Sequence, residues 1–285
     1  MDDRAIGMFD SGFGGLTVAR ALIDLLPNED LVYVGDTARF PYGPRPLEQV
    51  RLFASQITRK LVDEDNVKLV VVACNNATAA ALTQLRYEFD VPLVGVIDAG
   101  VRALLAVTRS GRVGIIGTVG TIASGAYQQA VASRRWRRTH GRELDLTCTA
   151  CPGFVELVEG GKVRSKEARV LAEELLCPVQ EAGVDSLLLG CTHYPYLART
   201  IGEVMGPEVV LVSSADETAF EVRNILLETG LNRRSSSKGT RRWVSSGDVA
   251  PFVRIGQQFF GPELDVAEHW EPPAHDLATT GGQTK

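Results

Sequence analysis

Two cysteines stand in matching settings. Cys74 follows the apolar run Leu69-Val70-Val71-Val72-Ala73 and precedes Asn75-Asn76 and an alanine-rich stretch from Ala77 to Leu85. Cys191 follows Leu187-Leu188-Leu189-Gly190 and precedes Thr192-His193. An unbroken apolar run rich in β-branched residues reads as a strand buried on both faces, as in a parallel sheet. Each cysteine is therefore expected at the carboxyl end of a strand, where open α/β sheets bind their ligands. Cys74 should also sit just before a helix N-terminus, which lowers a thiol pKa and favours the thiolate. Inverting a stereocentre by proton transfer needs a base on one face and an acid on the other. A thiol, with an ordinary pKa near ~8.5, can serve as either near neutral pH. His193 lies two residues from Cys191, and Asp10 is expected beside Cys74 if the two halves of the chain correspond. Each could tune the proton affinity of its neighbour.

Other motifs are weaker. Asp10-Ser11-Gly12-Phe13-Gly14-Gly15 is neither G-x-G-x-x-G nor G-K-[ST], so it does not indicate a nucleotide. It reads as a plain strand-to-helix turn or as a small-anion site made by backbone N–H groups and the Ser11 hydroxyl. Asp10 would repel a phosphate there and suits an amino group or a thiol better. Gly35-Asp36-Thr37 and Pro41-Tyr42-Gly43-Pro44 form a loop on the same sheet edge as Cys74, either a rigid turn or a wall of the site. Cys148-x-x-Cys151 has no second pair at zinc-finger spacing, and Pro152 follows where a thioredoxin motif would open a helix. No metal site is expected. Cys177 lies in an apolar helix and reads as core. The bland reading of Cys74, and of Cys191 with His193, is a buried structural thiol; the recurrence of one arrangement argues against two accidents of packing.

The surrounding elements explain how such residues could meet. Strands are expected at 5–9, 31–35, 69–73 and 91–97, with helices at 16–26 and 47–63 and another opening after Cys74. A second set follows: strands at 112–116, 144–149, 186–189 and 209–212, and helices at 154–159, 166–182, 196–205 and 216–228. A strand at 241–245 and a helix at 249–260 complete it. Strands alternating with helices argue for βαβ units and parallel sheets. Ile6-Gly7-Met8-Phe9-Asp10-Ser11 parallels Val113-Gly114-Ile115-Ile116-Gly117-Thr118, so the sets read as degenerate copies. The fold class is α/β: two pseudo-symmetric parallel-sheet domains with the active site in the cleft between them. At 285 residues the chain suits two domains. The expected division is 1–98 for the first, 99–210 for the second, a return to the first over 211–268, and a disordered tail at 269–285. With 30 Lys and Arg against 35 Asp and Glu, the net charge of −5 gives no global attraction for nucleic acid. The basic cluster Arg134-Arg135-Trp136-Arg137-Arg138 reads as solvated surface. No stretch reaches signal-peptide or membrane-span character, which points to the cytoplasm, where five free thiols fit better than disulfides.

Taken together, Phe9-Asp10-Ser11-Gly12-x-Gly14-Gly15-Leu16-Thr17, Tyr33-x-Gly35-Asp36, Pro41-Tyr42-Gly43, Ala73-Cys74-Asn75 and Gly190-Cys191-Thr192-His193-Tyr194-Pro195 resemble the glutamate racemases of the aspartate/glutamate racemase family. The resemblance spans Ile6 to Gly261, with the motifs in the family's order. It implies a cofactor-independent enzyme that interconverts L-glutamate and D-glutamate, supplying D-glutamate for peptidoglycan in the bacterial cytoplasm, as a homodimer. It implies Cys74 and Cys191 as the acid/base pair, with Asp10 and His193 assisting. Substrate contacts carry over to Asp10, Ser11, Tyr42, Gly43, Asn75, Asn76, Thr192 and His193; Thr118 and Glu159 match less tightly. Asn76 is a departure, since the family commonly has a small hydroxyl residue there; an amide can still bond a carboxylate. Three other readings compete: an aspartate racemase; a Cys–His hydrolase using Cys191 and His193 through an acyl-enzyme and leaving Cys74 dispensable; and a non-catalytic small-molecule binding protein with two α/β lobes.

Overall fold

The structure is a computed structural model, and residues 2–133 and 143–274 are described. The first sheet is built on β1 (Ile6–Asp10), β2 (Leu31–Gly35), β3 (Leu69–Val72) and β4 (Leu93–Gly95), extended by β9 (Arg241–Ser245) and β10 (Glu268–His269). Its order is β10-β9-β2-β1-β3-β4, and every pair is parallel. The second sheet comprises β5 (Arg112–Gly117), β6 (Asp145–Ala150), β7 (Ser186–Gly190) and β8 (Val210–Val212), all parallel in the order β6-β5-β7-β8. The order 2-1-3-4 of the first sheet thus recurs as 6-5-7-8 in the second.

Helices cover both faces of each sheet, which is why the inner strands carry apolar residues on both faces. On the first sheet Met8, Tyr33 and Val71 face α1 (Leu16–Leu25), α10 (Ala215–Thr229) and α11 (Val249–Phe260). Their neighbours Phe9, Val34, Val70 and Val72 face α2 (Leu47–Arg59) and α3 (Asn75–Glu88). On the second sheet Ile116, Leu187 and Leu189 pack against α7 (Phe154–Glu159), α8 (Lys166–Glu181) and α9 (Ala198–Met205). Val113, Ile115 and Leu188 face α4 (Val96–Val107) and α6 (Ala126–Ala132). A short α5 (Val119–Ala123) follows β5. α10 packs on both α1 and α4, and so joins the two lobes.

Four expectations change. The run Val91–Ile97 is a three-residue strand followed at once by α4, because Gly95 ends the sheet pairing and Val96 begins a helix. The helix expected from Tyr196 opens earlier, as a 3₁₀ turn at Tyr194–Leu197. Cys177 is exposed, since Ala172, Leu176 and Val179 form the buried stripe of α8. His269 pairs with Ser245 in β10, so the segment expected as a tail begins inside the sheet; residues 275–285 and the basic cluster at 134–138 lie outside the described residues. No helix among the described residues is long and apolar enough to cross a membrane.

Candidate active site

In each sheet the chain leaves the central strand to one side and returns on the other, so the strand order reverses between β1 and β3 and between β5 and β7. Such switch points open a crevice at the carboxyl ends of the strands. Asp10 ends β1 and Cys74 follows β3 as the N-cap of α3; Thr118 follows β5 and Cys191 follows β7. The two crevices face one another across a cavity of about 320 Å³, at the small end for a ligand site. Ser11, Tyr42, Gly43, Cys74, Asn75, Asn76, Cys191, Thr192 and His193 all line it. Asp10 lies directly behind this wall, wholly buried, its carboxylate accepting from the Gly12 N–H at 3.1 Å and the Thr192 hydroxyl at 3.4 Å. It therefore touches the second lobe as well as its own.

The two thiols meet different company. Cys74 Sγ lies 3.8 Å from the Ser11 hydroxyl. Burial and the Asp10 carboxylate push its pKa well above the ordinary thiol value, against the lowering expected from the helix N-terminus. Desolvation outweighs the helix dipole because Cys74 is 3% exposed. Cys191 Sγ lies 3.9 Å from His193 Nδ1, and His193 Nε2 is 3.1 Å from Glu159 Oε1. Burial alone would lower the His193 pKa; Cys191 and Glu159 outweigh it and raise it to about 10. Both partners therefore favour the protonated ring. Phe40 packs over that ring with centroids 5.9 Å apart.

The 40–44 loop forms a wall of the cavity. Tyr42 does not spend its hydroxyl on the cavity: it donates to Asp36, which also accepts from Arg39 and Ser246. What Tyr42 and Gly43 offer the cavity is backbone. Cys151 lines the cavity and Cys148 is half-buried on β6; both are free thiols, raised by burial, Cys148 to about 11 and Cys151 to about 12. Among the described residues no group of three or more His, Cys, Asp or Glu could hold a metal ion. Two residues without a sequence signal contribute. Tyr127 of α6 accepts a 2.7 Å hydrogen bond from Asn75 Nδ2, and Thr121 of α5 donates to Asn76 Oδ1 at 2.9 Å. Nothing in their spacing marked them, because each lies in a short helix that the apolar pattern did not outline.

The result is a two-lobed α/β protein with paired thiols at matched switch points. Residues 15–220 match the family model described as Asp/Glu/Hydantoin racemase. A glutamate racemase of Acidothermus cellulolyticus is 49% identical over 265 residues, 93% of this chain and 98% of its own. The crystal structure of a glutamate racemase isoform from Bacillus anthracis superposes with a TM-score of 0.86 at 35% identity, covering 97% of this chain and 99% of that one. A Francisella tularensis glutamate racemase, crystallised with D-glutamate, gives 0.85 at 30% identity over 95% of this chain and 98% of its own. The chain belongs to the Asp/Glu/hydantoin racemase family.

Proposed function

We propose that the protein is a glutamate racemase that interconverts L-glutamate and D-glutamate by proton transfer between two thiols, without a cofactor. The observation that carries this reading is that Cys74 and Cys191, from different lobes, line one cavity. One cysteine as thiolate removes the α-proton; the other as thiol returns a proton to the opposite face. The direction of turnover decides which does which, so each must act in both states. His193, held by Glu159, is placed to donate to Cys191 when that sulfur is anionic. Asp10 is placed to attract the substrate ammonium. That cation would offset the carboxylate's effect on Cys74 and ease its ionisation when substrate is bound. Ser11, Asn75, Asn76, Thr192 and the backbone at Tyr42 and Gly43 supply polar groups for the two carboxylates. Glutamate is favoured over aspartate by the relatives above, and the product would serve peptidoglycan synthesis in the bacterial cytoplasm, with the enzyme a homodimer.

The test is incubation of purified protein with L-glutamate in D₂O, with no cofactor added. D-glutamate carrying α-deuterium is the expected product. Activity lost to a chelator and regained only with metal or with pyridoxal phosphate would contradict the proposal. The Cys–His hydrolase reading instead expects a hydrolysed ester or amide, with Cys74 unneeded.

A further inference from the structure

Asn76 stands one residue inside α3, in the first lobe, and its partners lie in the second. Its side-chain carbonyl accepts from the Thr118 hydroxyl at 3.0 Å and from the Thr121 hydroxyl at 2.9 Å. Thr118 Oγ1 and Thr121 Oγ1 lie 3.1 Å apart, and the Thr121 N–H donates to Thr118 Oγ1. Beside them the Gly120 N–H donates to the Gly43 carbonyl at 3.2 Å, again from lobe to lobe. The seam is close: a Cβ on Gly120 would lie 2.7 Å from Gly43 O and 3.0 Å from Asn76 Oδ1. A shorter side chain at position 76 would not span to both threonines. The Asn76 amide N–H₂ has no hydrogen bond to another described residue, while the side chain lines the cavity.

We propose that Asn76 is a positioning residue that latches the lobes closed through its carbonyl, leaving its amide hydrogens for a substrate carboxylate. The proposal rests on the racemase reading for the identity of that substrate. Closure brings the second lobe's thiol to the first lobe's cleft, so a protein that is already latched does not spend binding energy on closing. Loss of the latch lowers the closed fraction of the free protein, and apparent affinity falls by that fraction. Saturating substrate restores closure, so the effect belongs in KM rather than kcat.

Thr121 is the clean probe, because it is buried behind the cavity and does not line it. Thr121→Val should raise KM for glutamate about 2- to 10-fold, the range one net hydrogen bond is worth, with kcat within about 2-fold. Thr121→Ser, which keeps the hydroxyl, should restore KM. In an Asn76→Ala background, Thr121→Val should add nothing. Hydrogen exchange at 119–123, read without substrate, should quicken in Thr121→Val and in Asn76→Ala and stay slow in Thr121→Ser. Exchange holds or fails independently of glutamate turnover, so it separates failure of the latch from failure of the racemase reading. An unchanged KM and unchanged exchange in Thr121→Val, or the same fold-change with and without Asn76, would overturn the latch.

Discussion

At Cys74 two influences oppose one another, and their sizes decide the resting state. The N-terminus of α3 favours an anion, but burial and the Asp10 carboxylate hold the thiol protonated. The helix N-terminus and the nearby Asp10 could be read from the sequence; the burial could not, since its depth depends on how the second lobe covers the site. Both cysteines were legible because an apolar run that stops at a thiol is visible without any structure. Tyr127 and Thr121 were not, because their roles depend on a lobe-to-lobe approach. Cys74→Ala and Cys191→Ala should each nearly abolish racemisation in both directions, since removing one acid/base group typically costs about 10²–10⁴-fold and no second route remains. A Cys74→Ala enzyme that keeps most of its rate would favour the hydrolase alternative. The His193–Glu159 pair predicts a pH signature. The folded pKa of His193, about 10, lies above the ordinary imidazole value near ~6.5. Protonated His193 therefore contributes stability that is complete below the unfolded value and is lost as pH rises through about 10. Glu159→Gln should bring the imidazole titration, followed by NMR, to lower pH. The stability gap between wild type and variant should be widest near neutral pH and vanish above about 10. An imidazole that titrates unchanged in Glu159→Gln would refute the pairing.

Among the elements, the buried strands were the most legible part of the fold, since β1, β3, β5 and β7 are apolar at nearly every position. The helices α4, α5 and α6 were not. Val96-Ile97 continues the apolar run of β4, and short apolar runs do not distinguish strand from helix. The division of the strands between two sheets was expected from the repeat, but the bond network between the lobes was not. That network tests the turn between β1 and α1. Tyr33 fixes the turn by donating to Gly12 O at 3.0 Å. A Cβ on Gly14 would lie 2.6 Å from His193 Nδ1 and closer still to Thr192 Oγ1. Gly14→Ala should therefore push the second lobe's Thr192-His193 turn away and lower activity far more than urea stability. Equal losses of both would assign the glycine to folding alone. At the opposite end of the strands, Lys68 and Glu29 form a buried pair at 2.6 Å, and Glu29 also accepts from the Arg233 N–H. Glu29→Gln would leave a buried ammonium without its counter-charge, a defect that costs about 3–5 kcal/mol. Urea unfolding should report that loss with little change in KM, because the pair lies away from the cavity; a KM shift as large as the stability loss would contradict this separation.

For the whole molecule, the recurrence of strand order 2-1-3-4 as 6-5-7-8 gives a physical reason for a two-thiol site. Each lobe has one switch point with a strand-ending cysteine beside it, and facing the lobes toward each other brings the cysteines to opposite sides of a single cavity. Cys74 and Cys191 of a single chain both line that cavity. α10 supports the arrangement from behind by packing on α1 of one lobe and α4 of the other. The proposed homodimer therefore should not share active sites between subunits. Mixing Cys74→Ala with Cys191→Ala protein, under conditions in which subunits exchange, tests this directly. If both thiols act from one chain, every mixed dimer still lacks one thiol in each site, and the mixture should be as inactive as its components. Differently tagged subunits, recovered as heterodimers by sequential affinity capture, would establish that exchange took place. Substantial activity in those heterodimers would mean that a site draws its cysteines from two chains. Two-thiol chemistry would survive that result, but the matched switch points of a single chain would no longer explain it.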